Sequence, residues 1–307
     1  MAHRIFVTGG SGFIGSYLID YLVSIGVTVG TFCSVRNNFL SSTKIQVFDA
    51  TLSEKNKMRK AFEEFQPTAL VHLAAISSPV YADVLKIYQT NVIGTENLFE
   101  ALVESGNSQI KVILTSTAGI YGNNEIEFIS ESEPFNPLNH YSYSKMVMEF
   151  LSRTWEDQFD IKIVRPFNII GSRQNDKFLI PKLTKAFVRK DPIIYVGNLD
   201  TIRDYSPVDR TVALLTELLF QPVEFKLLNI CSSIPISGHE VIKILEELTG
   251  FRPKINVLPE LIRRNEIYRS VGDSSKANEV LGKVLCKQDL INNISDMITD
   301  YSNCSEK

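Results

Sequence analysis

Tyr141 and Lys145 are the residues whose types and spacing are best suited to chemistry. Four residues apart on a helix, they share one face, so the phenol and the ammonium group can lie side by side. A phenol with its reference pKa of about 10 is a poor acid–base catalyst at neutral pH, but a neighbouring cation lowers that pKa. Thr117 adds a hydroxyl that can bind the oxygen of a substrate. The three side chains predict proton transfer at a carbonyl or carbinol oxygen.

A glycine-rich segment near the N-terminus predicts a bound dinucleotide. Gly9, Gly12 and Gly15 follow the strand-like run Ile5–Val7 and open the helix-like segment Phe13–Ser24. The first glycine permits a tight turn, the second lets the backbone approach a pyrophosphate, and the third lets the helix pack close to the strand. The free N–H groups at the start of the helix then face the phosphates. Together with the tyrosine and lysine, this motif predicts hydride transfer.

The residues after the second strand-like run, Val27–Phe32, bear on which nicotinamide cofactor binds. NAD-dependent enzymes usually carry an acidic residue there to bind the ribose hydroxyls, but here the first acidic residue is Asp49. A carboxylate would repel a 2′-phosphate, whereas Ser34 and Arg36 can bind one. The sequence therefore favours NADP(H), with NAD(H) as the alternative. Asp49 could accept a hydrogen bond from the adenine amine or could cap the next helix.

The elements that must position these motifs alternate along the first two-thirds of the chain. Strands are predicted at Ile5–Val7, Val27–Phe32, Ile45–Phe48, Ala69–Leu73, Lys111–Leu114 and Ile161–Val164. Helices are predicted at Phe13–Ser24, Glu54–Phe65, Asp83–Glu104 and Ser142–Gln158. Strands separated by helices predict an α/β fold, a doubly wound parallel Rossmann sheet that binds its ligand beyond the carboxyl ends of the strands.

The alternation weakens after Pro166, which predicts a second, smaller C-terminal lobe. We expect a dinucleotide-binding Rossmann domain of residues 1–166 plus about 206–231. The substrate-binding lobe would comprise residues about 167–205 plus 232–307. Residues 208–220 and 226–230 are expected to return to the sheet domain, so the boundary is discontinuous.

Composition argues against several classes of function. The net charge is −3 and no long basic run is present, which argues against a nucleic-acid surface. No apolar stretch approaches the ~20 residues that cross a bilayer. Because the N-terminus enters a predicted strand at once, we expect no signal peptide. The cysteines are scattered, without the spacing of a metal site: Cys33, Cys231, Cys286 and Cys304. We therefore expect a cytoplasmic protein with no metal, nucleic-acid or membrane partner.

The motifs together resemble those of extended short-chain dehydrogenases/reductases that act on nucleotide sugars. The resemblance covers essentially the whole chain. It rests on the glycine motif, Leu73-Ala74-Ala75, Asn91 and the four residues after it, Thr117 ahead of Tyr121-Gly122, and the Tyr141/Lys145 pair. Within that family, the segments at 165–171, 196–205, 229–232 and 263–266 are similar to those of GDP-4-keto-6-deoxy-D-mannose reductases.

The resemblance implies a role for each motif residue. Thr117, Tyr141 and Lys145 would form a catalytic triad, and Asn91 would be a fourth member that orders water and the lysine. The cofactor would contact Tyr141, Lys145 and a further set: Gly9, Gly12, Phe13, Ile14, Gly15, Ser34, Arg36, Asp49, Ala50, Leu73, Ala74, Ala75 and Pro166. The sugar nucleotide would contact Thr117 and a second set: Ser77, Asn168, Phe178, Arg203, Arg263 and Glu266. Two arginines suit a diphosphate, and a carboxylate suits ribose hydroxyls.

The reaction implied is NADPH-dependent reduction of the C4 ketone of a nucleotide-linked 4-keto-6-deoxyhexose, for deoxysugar and lipopolysaccharide precursors. Guanine- and thymine-linked sugars, and both configurations at C4, are compatible with the motifs. Dehydratases of the family carry an acidic residue after the catalytic threonine, where this chain has Ala118 and Gly119, so we expect no dehydration. The alternatives are a 4-epimerase that retains NAD and a non-catalytic NADP-binding regulatory protein.

The resemblance also implies a homodimer, because in this family the helices at 83–104 and 142–158 pair across a two-fold axis. Both segments carry apolar side chains beyond one core stripe: Leu85, Val92, Leu98, Phe99, Met146, Phe150 and Trp155. Large exposed apolar faces imply an interface. The alternative is that these side chains pack on the sheet.

Overall fold

The computed structural model describes residues 3–33, 42–77, 82–222, 224–262, 266–282 and 285–305. Its strands are β1 Arg4–Thr8, β2 Thr28–Phe32, β3 Ile45–Phe48, β4 Ala69–His72, β5 Lys111–Thr115, β6 Asp160–Pro166, β7 Asn168–Ile170, β8 Ile193–Val196, β9 Ile202–Pro207, β10 Leu227–Ile230, β11 Pro235–Ser237, β12 Lys254–Val257 and β13 Arg269–Ser270. Its α-helices are α1 Phe13–Ser24, α2 Lys55–Phe65, α3 Val84–Tyr88, α4 Gly94–Glu104, α5 His140–Ser152, α6 Leu179–Val188, α7 Val208–Phe220, α8 Gly238–Thr249, α9 Ser275–Leu281 and α10 Lys287–Ser305. A π-helical turn, Gln89–Ile93, joins α3 to α4.

A seven-stranded sheet has the strand order β10-β6-β5-β4-β1-β2-β3. The pairings from β3 through β6 are parallel. The chain order changes direction between β1 and β4, and sheets of this kind bind ligands beyond the carboxyl ends of the strands at that switch point. This topology confirms the predicted α/β Rossmann sheet, and β10 forms one of its edges, as expected for residues 226–230.

A cluster of phenylalanines fixes β1 within this sheet. Phe6 of β1 is fully buried, and its ring centroid lies 4.6 Å from that of Phe32, 4.9 Å from Phe62 and 5.4 Å from Phe65. Phe32 ends β2, and the other two rings belong to α2. Burying each such side chain contributes roughly 1.5–3 kcal/mol, with more from favourable ring geometry. The packing therefore anchors β1, whose carboxyl end leads into the glycine motif.

The chain forms two compact units. The first comprises residues 1–120, 135–166 and 212–228, and the second comprises residues 121–134, 167–211 and 229–307. The sequence-based division differs from this one because it assigned residues 121–134, about 206–211 and 229–231 to the Rossmann domain. Hydrogen bonds to other residues of the second unit explain why residues 121–134 belong to it. Tyr121 Oη donates to Asn229 Oδ1 at 2.7 Å, and Ile129 N donates to Val271 O at 2.9 Å.

The second unit has its own small sheets and core. Strand β9 pairs with β7, β11 and β13, and β8 pairs with β12. Helices α6, α8 and α10 pack together around buried aliphatic and aromatic side chains that include Leu183, Phe187, Leu245, Ile294 and Met297. This core holds β7, β9 and the start of α6, the elements that carry several of the predicted substrate-binding residues.

In the part of the chain that the structure describes, no helix combines the length and the apolar character needed to cross a bilayer. Among the same residues, no group of three or more His, Cys, Asp or Glu side chains is arranged to hold a metal ion.

Candidate functional site

The glycine turn lies between β1 and α1. Gly9 has a left-handed backbone, with φ of +73°, and Gly12 N donates to Gly9 O at 2.9 Å. Gly12 is the N-cap residue of α1, no side chain caps the helix, and its first turn contains no acidic residue. The first N–H groups of α1 therefore face outward without a competing anion, which suits a pyrophosphate.

At two positions of this turn, neighbouring backbone atoms lie so close that only glycine fits. A Cβ atom on Gly9 would lie 2.8 Å from Ala74 N, and one on Gly15 would lie 2.2 Å from Gly9 O. Neither contact is compatible with a larger residue unless the backbone moves. The Leu73-Ala74-Ala75 segment after β4 thus lies directly against the turn, as the prediction that both line one cofactor site requires. Phe13 and Ile14 open α1 and are partly exposed.

The residues predicted to select the cofactor lie after β2 and β3. Ser34 and Arg36 fall outside the described residues. Asp49 and Ala50 follow β3, and Asp49 is exposed whereas Ala50 is buried. Asp49 does not cap the next helix, because the N-cap residue of α2 is Glu54. The contact between Asp49 and adenine stays a prediction.

Thr117, Tyr141 and Lys145 all belong to the first unit. Thr117 follows β5, and Tyr141 and Lys145 lie on α5. The N-cap residue of α5 is Asn139, whose side chain accepts from Ser142 N at 2.9 Å. The hydroxyls of Thr117 and Tyr141 form a hydrogen bond. Thr117 Oγ1 also accepts from the backbone N–H of Gly119 at 3.1 Å, which fixes its orientation. The structure thus brings the threonine and the tyrosine together as predicted.

The protonation states of Tyr141 and Lys145 differ from the expectation of a lowered phenol pKa. Burial raises the pKa of Tyr141 to about 12, and the hydrogen bond with Thr117 opposes that rise. Burial lowers the pKa of Lys145 to about 7, and Glu149 opposes that fall. Lys145 Nζ donates to Thr115 O at 2.7 Å, so its charge is partly directed at that carbonyl. Tyr141 is therefore protonated at neutral pH and can donate its proton.

Asn91 lies in the π-helical turn and is fully buried. Its Oδ1 accepts from Ile76 N at 2.8 Å, and its Nδ2 donates to Ile76 O at 3.1 Å and to Ser144 Oγ at 2.9 Å. Ser144 Oγ in turn donates to Tyr141 O at 2.7 Å. Asn91 therefore connects the loop after β4, where Ser77 is exposed, to the first turn of α5. The water-ordering role implied for Asn91 stays a prediction.

The other predicted substrate-binding residues belong to the second unit. Asn168 begins β7 and donates from Nδ2 to Asp204 O at 3.0 Å, and Arg203 on β9 donates to Tyr268 O at 3.3 Å. Phe178 precedes α6 and is 41% exposed. Pairing of β7 with β9 thus brings Asn168 near the strand that carries Arg203.

Glu266 and Arg263 are the two remaining members of that set. Glu266 is partly buried, and among the described residues no partner lies within hydrogen-bond distance of its buried Oε2 atom. A buried acceptor without a partner is costly unless a ligand satisfies it, so this atom fits a role in binding hydroxyls. Arg263 lies outside the described residues. Pro166, predicted to contact the cofactor, ends β6 of the first unit.

Sequence reasoning missed several buried polar residues of the first unit. His72 and Thr95 received no role, yet both are fully buried and hydrogen-bonded to each other. Glu149 and Arg165 form a buried ion pair, with the exposure of each side chain only 3%. The position of Glu149, one helical turn after Lys145, is a signal that could have identified it.

The sequence model of the GDP-mannose 4,6 dehydratase family matches residues 6–283. The chain belongs to this family of extended short-chain dehydrogenases/reductases. The resemblance drawn from the sequence motifs is thereby confirmed at the level of the family. Several motifs on which that resemblance rests lie in the first unit: the glycine turn, Thr117, Tyr141 and Lys145.

Relatives of this chain have different reactions in their names. GDP-6-deoxy-D-talose 4-dehydrogenase of Aggregatibacter actinomycetemcomitans is 35% identical over 285 residues, which cover 91% of each chain. GDP-6-deoxy-D-mannose reductase of Pseudomonas aeruginosa is 27% identical over 310 residues, with 96% of this chain and 97% of that protein covered. Similarity to these relatives and the family match therefore do not by themselves choose among dehydratase, dehydrogenase and reductase.

A solved structure shows the same fold with a nicotinamide cofactor. The UDP-glucose 4-epimerase of Thermus thermophilus in complex with NAD is 26% identical to this chain and has a TM-score of 0.85. The alignment covers 96% of this chain and 99% of the epimerase. Its architecture agrees with the Rossmann sheet described above.

Proposed function

We propose that this protein catalyses the NADPH-dependent reduction of the C4 ketone of a nucleotide-linked 4-keto-6-deoxyhexose. The observation that carries the proposal is the arrangement of Thr117 after β5 with Tyr141 and Lys145 on α5, in the unit that also contains the glycine turn. Two named relatives support the substrate class, because a GDP-6-deoxy-D-talose 4-dehydrogenase and a GDP-6-deoxy-D-mannose reductase both act on GDP-linked 6-deoxyhexoses by name. A 4-dehydrogenase and a 4-ketone reductase describe the same hydride transfer in opposite directions.

The side chains of the first unit can supply what a ketone reduction needs besides the hydride. The Tyr141 hydroxyl, protonated at neutral pH, donates a proton to the C4 oxygen. Thr117, whose hydroxyl bonds to Tyr141 in the free protein, would turn its single proton toward the C4 oxygen and donate a hydrogen bond to the negative charge that develops there. Lys145 supplies the positive charge that stabilises the phenolate left after transfer. A nicotinamide bound beyond β4 and β5 would supply the hydride.

The residues after Thr117 argue against a dehydratase. Elimination of water needs an acidic residue as a proton shuttle, and dehydratases resembling this chain carry one at the positions of Ala118 and Gly119. A Cβ atom on Gly119 would lie 2.6 Å from Ser142 Oγ, so a larger side chain does not fit without movement of α5 or of that hydroxyl. Gly119 N also orients Thr117. These features of the turn support a reductase or an epimerase over a dehydratase.

The proposal is tested by incubating the purified protein with NADPH and either a GDP- or a dTDP-linked 4-keto-6-deoxyhexose. We expect oxidation of NADPH, followed by its absorbance, and a new 6-deoxyhexose whose C4 configuration NMR identifies. A 4-epimerase is expected instead to retain NAD, and the Thermus thermophilus UDP-glucose 4-epimerase structure is a complex with NAD. NAD carried through purification, together with interconversion of UDP-sugars, would favour the epimerase, and cofactor binding without any turnover would favour the regulatory alternative.

NADPH is expected to be preferred over NADH by more than about tenfold in kcat/KM. The reason is that Arg36 and Ser34 can bind the 2′-phosphate, and a charged hydrogen bond contributes ~1.5–3 kcal/mol. Arg36→Ala should reduce the preference, whereas Arg59→Ala, which removes a surface arginine of α2, should leave it unchanged. Steady-state kinetics with both cofactors measure the ratio. Equal use of NADH by the wild type would refute this assignment.

The protein is expected to be a homodimer through α3, α4 and α5. Leu98 and Phe99 are fully buried in the core, so they pack on the sheet and do not support an interface. Leu85 and Ile93, however, are 66% and 55% exposed, and Phe150 is 44% exposed. Exposed apolar side chains on neighbouring helices are typical of an interface.

Leu85→Glu is therefore expected to convert the dimer to a monomer, because it places a charge on that apolar face. Light scattering at micromolar protein concentration measures the change in mass. Leu248→Glu on α8, where the leucine is 39% exposed, is the matched control and should not alter the mass. A wild-type protein that is already monomeric would contradict the proposal.

A further inference from the structure

His72 ends β4 and connects two elements that flank the candidate site. Its ring is fully buried, and its Nδ1 lies 2.7 Å from Thr8 Oγ1, at the end of β1. Its Nε2 lies 3.0 Å from Thr95 Oγ1, in the first turn of α4. Both hydroxyls are themselves fully buried. Each ring nitrogen thus has a partner on a different element.

The hydrogen bonds of the two threonines assign the tautomer of the ring. Thr95 Oγ1 donates its single proton to Asn91 O at 2.7 Å, so it must accept from His72 Nε2. Nδ1 is then the acceptor, and Thr8 Oγ1 donates to it while accepting from Ala74 N at 3.2 Å. Burial and the charge of Lys145 lower the pKa of His72 to about 3, so the ring is neutral at physiological pH.

The series of hydrogen bonds continues beyond His72 to the helix that carries the catalytic tyrosine. Thr95 holds the carbonyl of Asn91, whose side chain donates to Ser144 Oγ, which donates to the carbonyl of Tyr141. The series therefore runs from Ala74 N, beside the glycine turn, to the first turn of α5. Buried polar networks whose members are all satisfied are rigid, and they are costly to interrupt.

We propose that His72 is a positioning residue for the reaction: through Thr95 and Asn91, it holds the first turn of α5 in place relative to the glycine turn. The inference rests on the proposed function, which it extends to side chains that do not touch the reacting atoms. A misplacement of catalytic groups by about 1 Å costs about 10²-fold in rate. Interrupting the network should therefore lower kcat while leaving the binding contacts, and hence KM, nearly unchanged.

Two amide substitutions at His72 separate its two hydrogen bonds. Glutamine can place a donor near the position of Nε2 and so retain the bond to Thr95, whereas asparagine can replace only the acceptor at Nδ1. We expect His72→Gln to keep kcat within a few-fold of the wild type and His72→Asn to lose about 10²-fold, with KM nearly constant in both. Equal kcat values for the two variants, or a faster His72→Asn, would overturn the proposal.

A second pair of variants applies if the His72 variants do not fold. Thr95→Val has the same shape as threonine but no hydroxyl, whereas Thr95→Ser keeps the hydroxyl. We expect the valine variant to lose about as much kcat as His72→Asn, and the serine variant to lose little. A Thr95→Val enzyme with the wild-type kcat would also overturn the proposal.

Nitrogen-15 NMR of the histidines tests the network independently of the reaction. The proposal requires His72 to remain neutral, with the proton on Nε2, at about pH 5 as well as at neutral pH. A proton on Nδ1, or a charged ring at the lower pH, would contradict it even if the enzyme is a reductase. Failure of the proposed reduction with an intact Nε2–H signal would instead refute the function and leave the network in place.

Discussion

Tyr141→Phe is expected to lower kcat by ~10²–10⁴-fold, the usual contribution of general acid–base catalysis, with little change in KM. The substitution removes one oxygen atom and keeps the aromatic ring. In the structure that oxygen bonds to Thr117, and burial raises its pKa to about 12, so it carries a proton throughout the neutral range. Under the proposed function, the variant lacks the proton that the C4 oxygen would receive, but retains the other side chains proposed to bind the cofactor and the sugar nucleotide.

Two further variants make this experiment specific. Tyr143→Phe is the matched control, because Tyr143 lies two residues along the same helix and is 43% exposed. It should leave kcat unchanged. Thr117→Val should lower kcat by less than Tyr141→Phe, because it removes one hydrogen bond to the developing alkoxide but leaves the proton donor. If Tyr141→Phe turned over near the wild-type rate, another group would be the acid, and the assignment of the whole triad would be wrong.

The sheet was predictable because its strands have a simple pattern. Apolar, β-rich runs such as those at β1, β4 and β5 are separated by amphipathic segments, and this alternation allows few arrangements other than a parallel doubly wound sheet. The region at 83–104 was predicted as one helix, but the structure divides it at the π-helical turn around Asn91. That turn depends on tertiary hydrogen bonds to Ile76 and Ser144, which helical periodicity does not encode.

The candidate site was predictable to the extent that its residues belong to local motifs. Gly9, Gly15 and the Tyr141/Lys145 pair belong to motifs whose residues are only a few positions apart. Such motifs can be recognised in the sequence alone. His72 acts through Thr8 and Thr95, which are distant in the sequence, so its partners become apparent only in the folded chain. The pKa of Tyr141 was mispredicted for a similar reason, because burial dominates it and burial depends on the whole fold.

Arg165→Met is expected to destabilise the protein by ~3–5 kcal/mol, the cost of breaking a buried ion pair on one side. Arg165 donates from Nε to Glu149 Oε1 at 3.0 Å and from Nη2 to Oε2 at 2.6 Å, a bidentate geometry. Both side chains are 3% exposed, so methionine would leave the carboxylate buried without its guanidinium partner. Urea unfolding measures the loss. Lys226→Met, which breaks the exposed pair with Glu156, is the control and should cost at most ~1 kcal/mol.

The double variant Glu149→Leu/Arg165→Met separates stability from catalysis. Removing both buried charges should recover most of the stability lost by Arg165→Met, because no uncompensated ion remains. Glu149 also raises the pKa of Lys145, which burial lowers to about 7. Without Glu149 that pKa falls further, so Lys145 loses its proton at a lower pH, and the alkaline limb of kcat against pH should shift downward. A double variant as unstable as the single variant would show that the loss of stability does not come from an uncompensated buried charge. An unchanged pH profile would show that Glu149 does not control the pKa of Lys145.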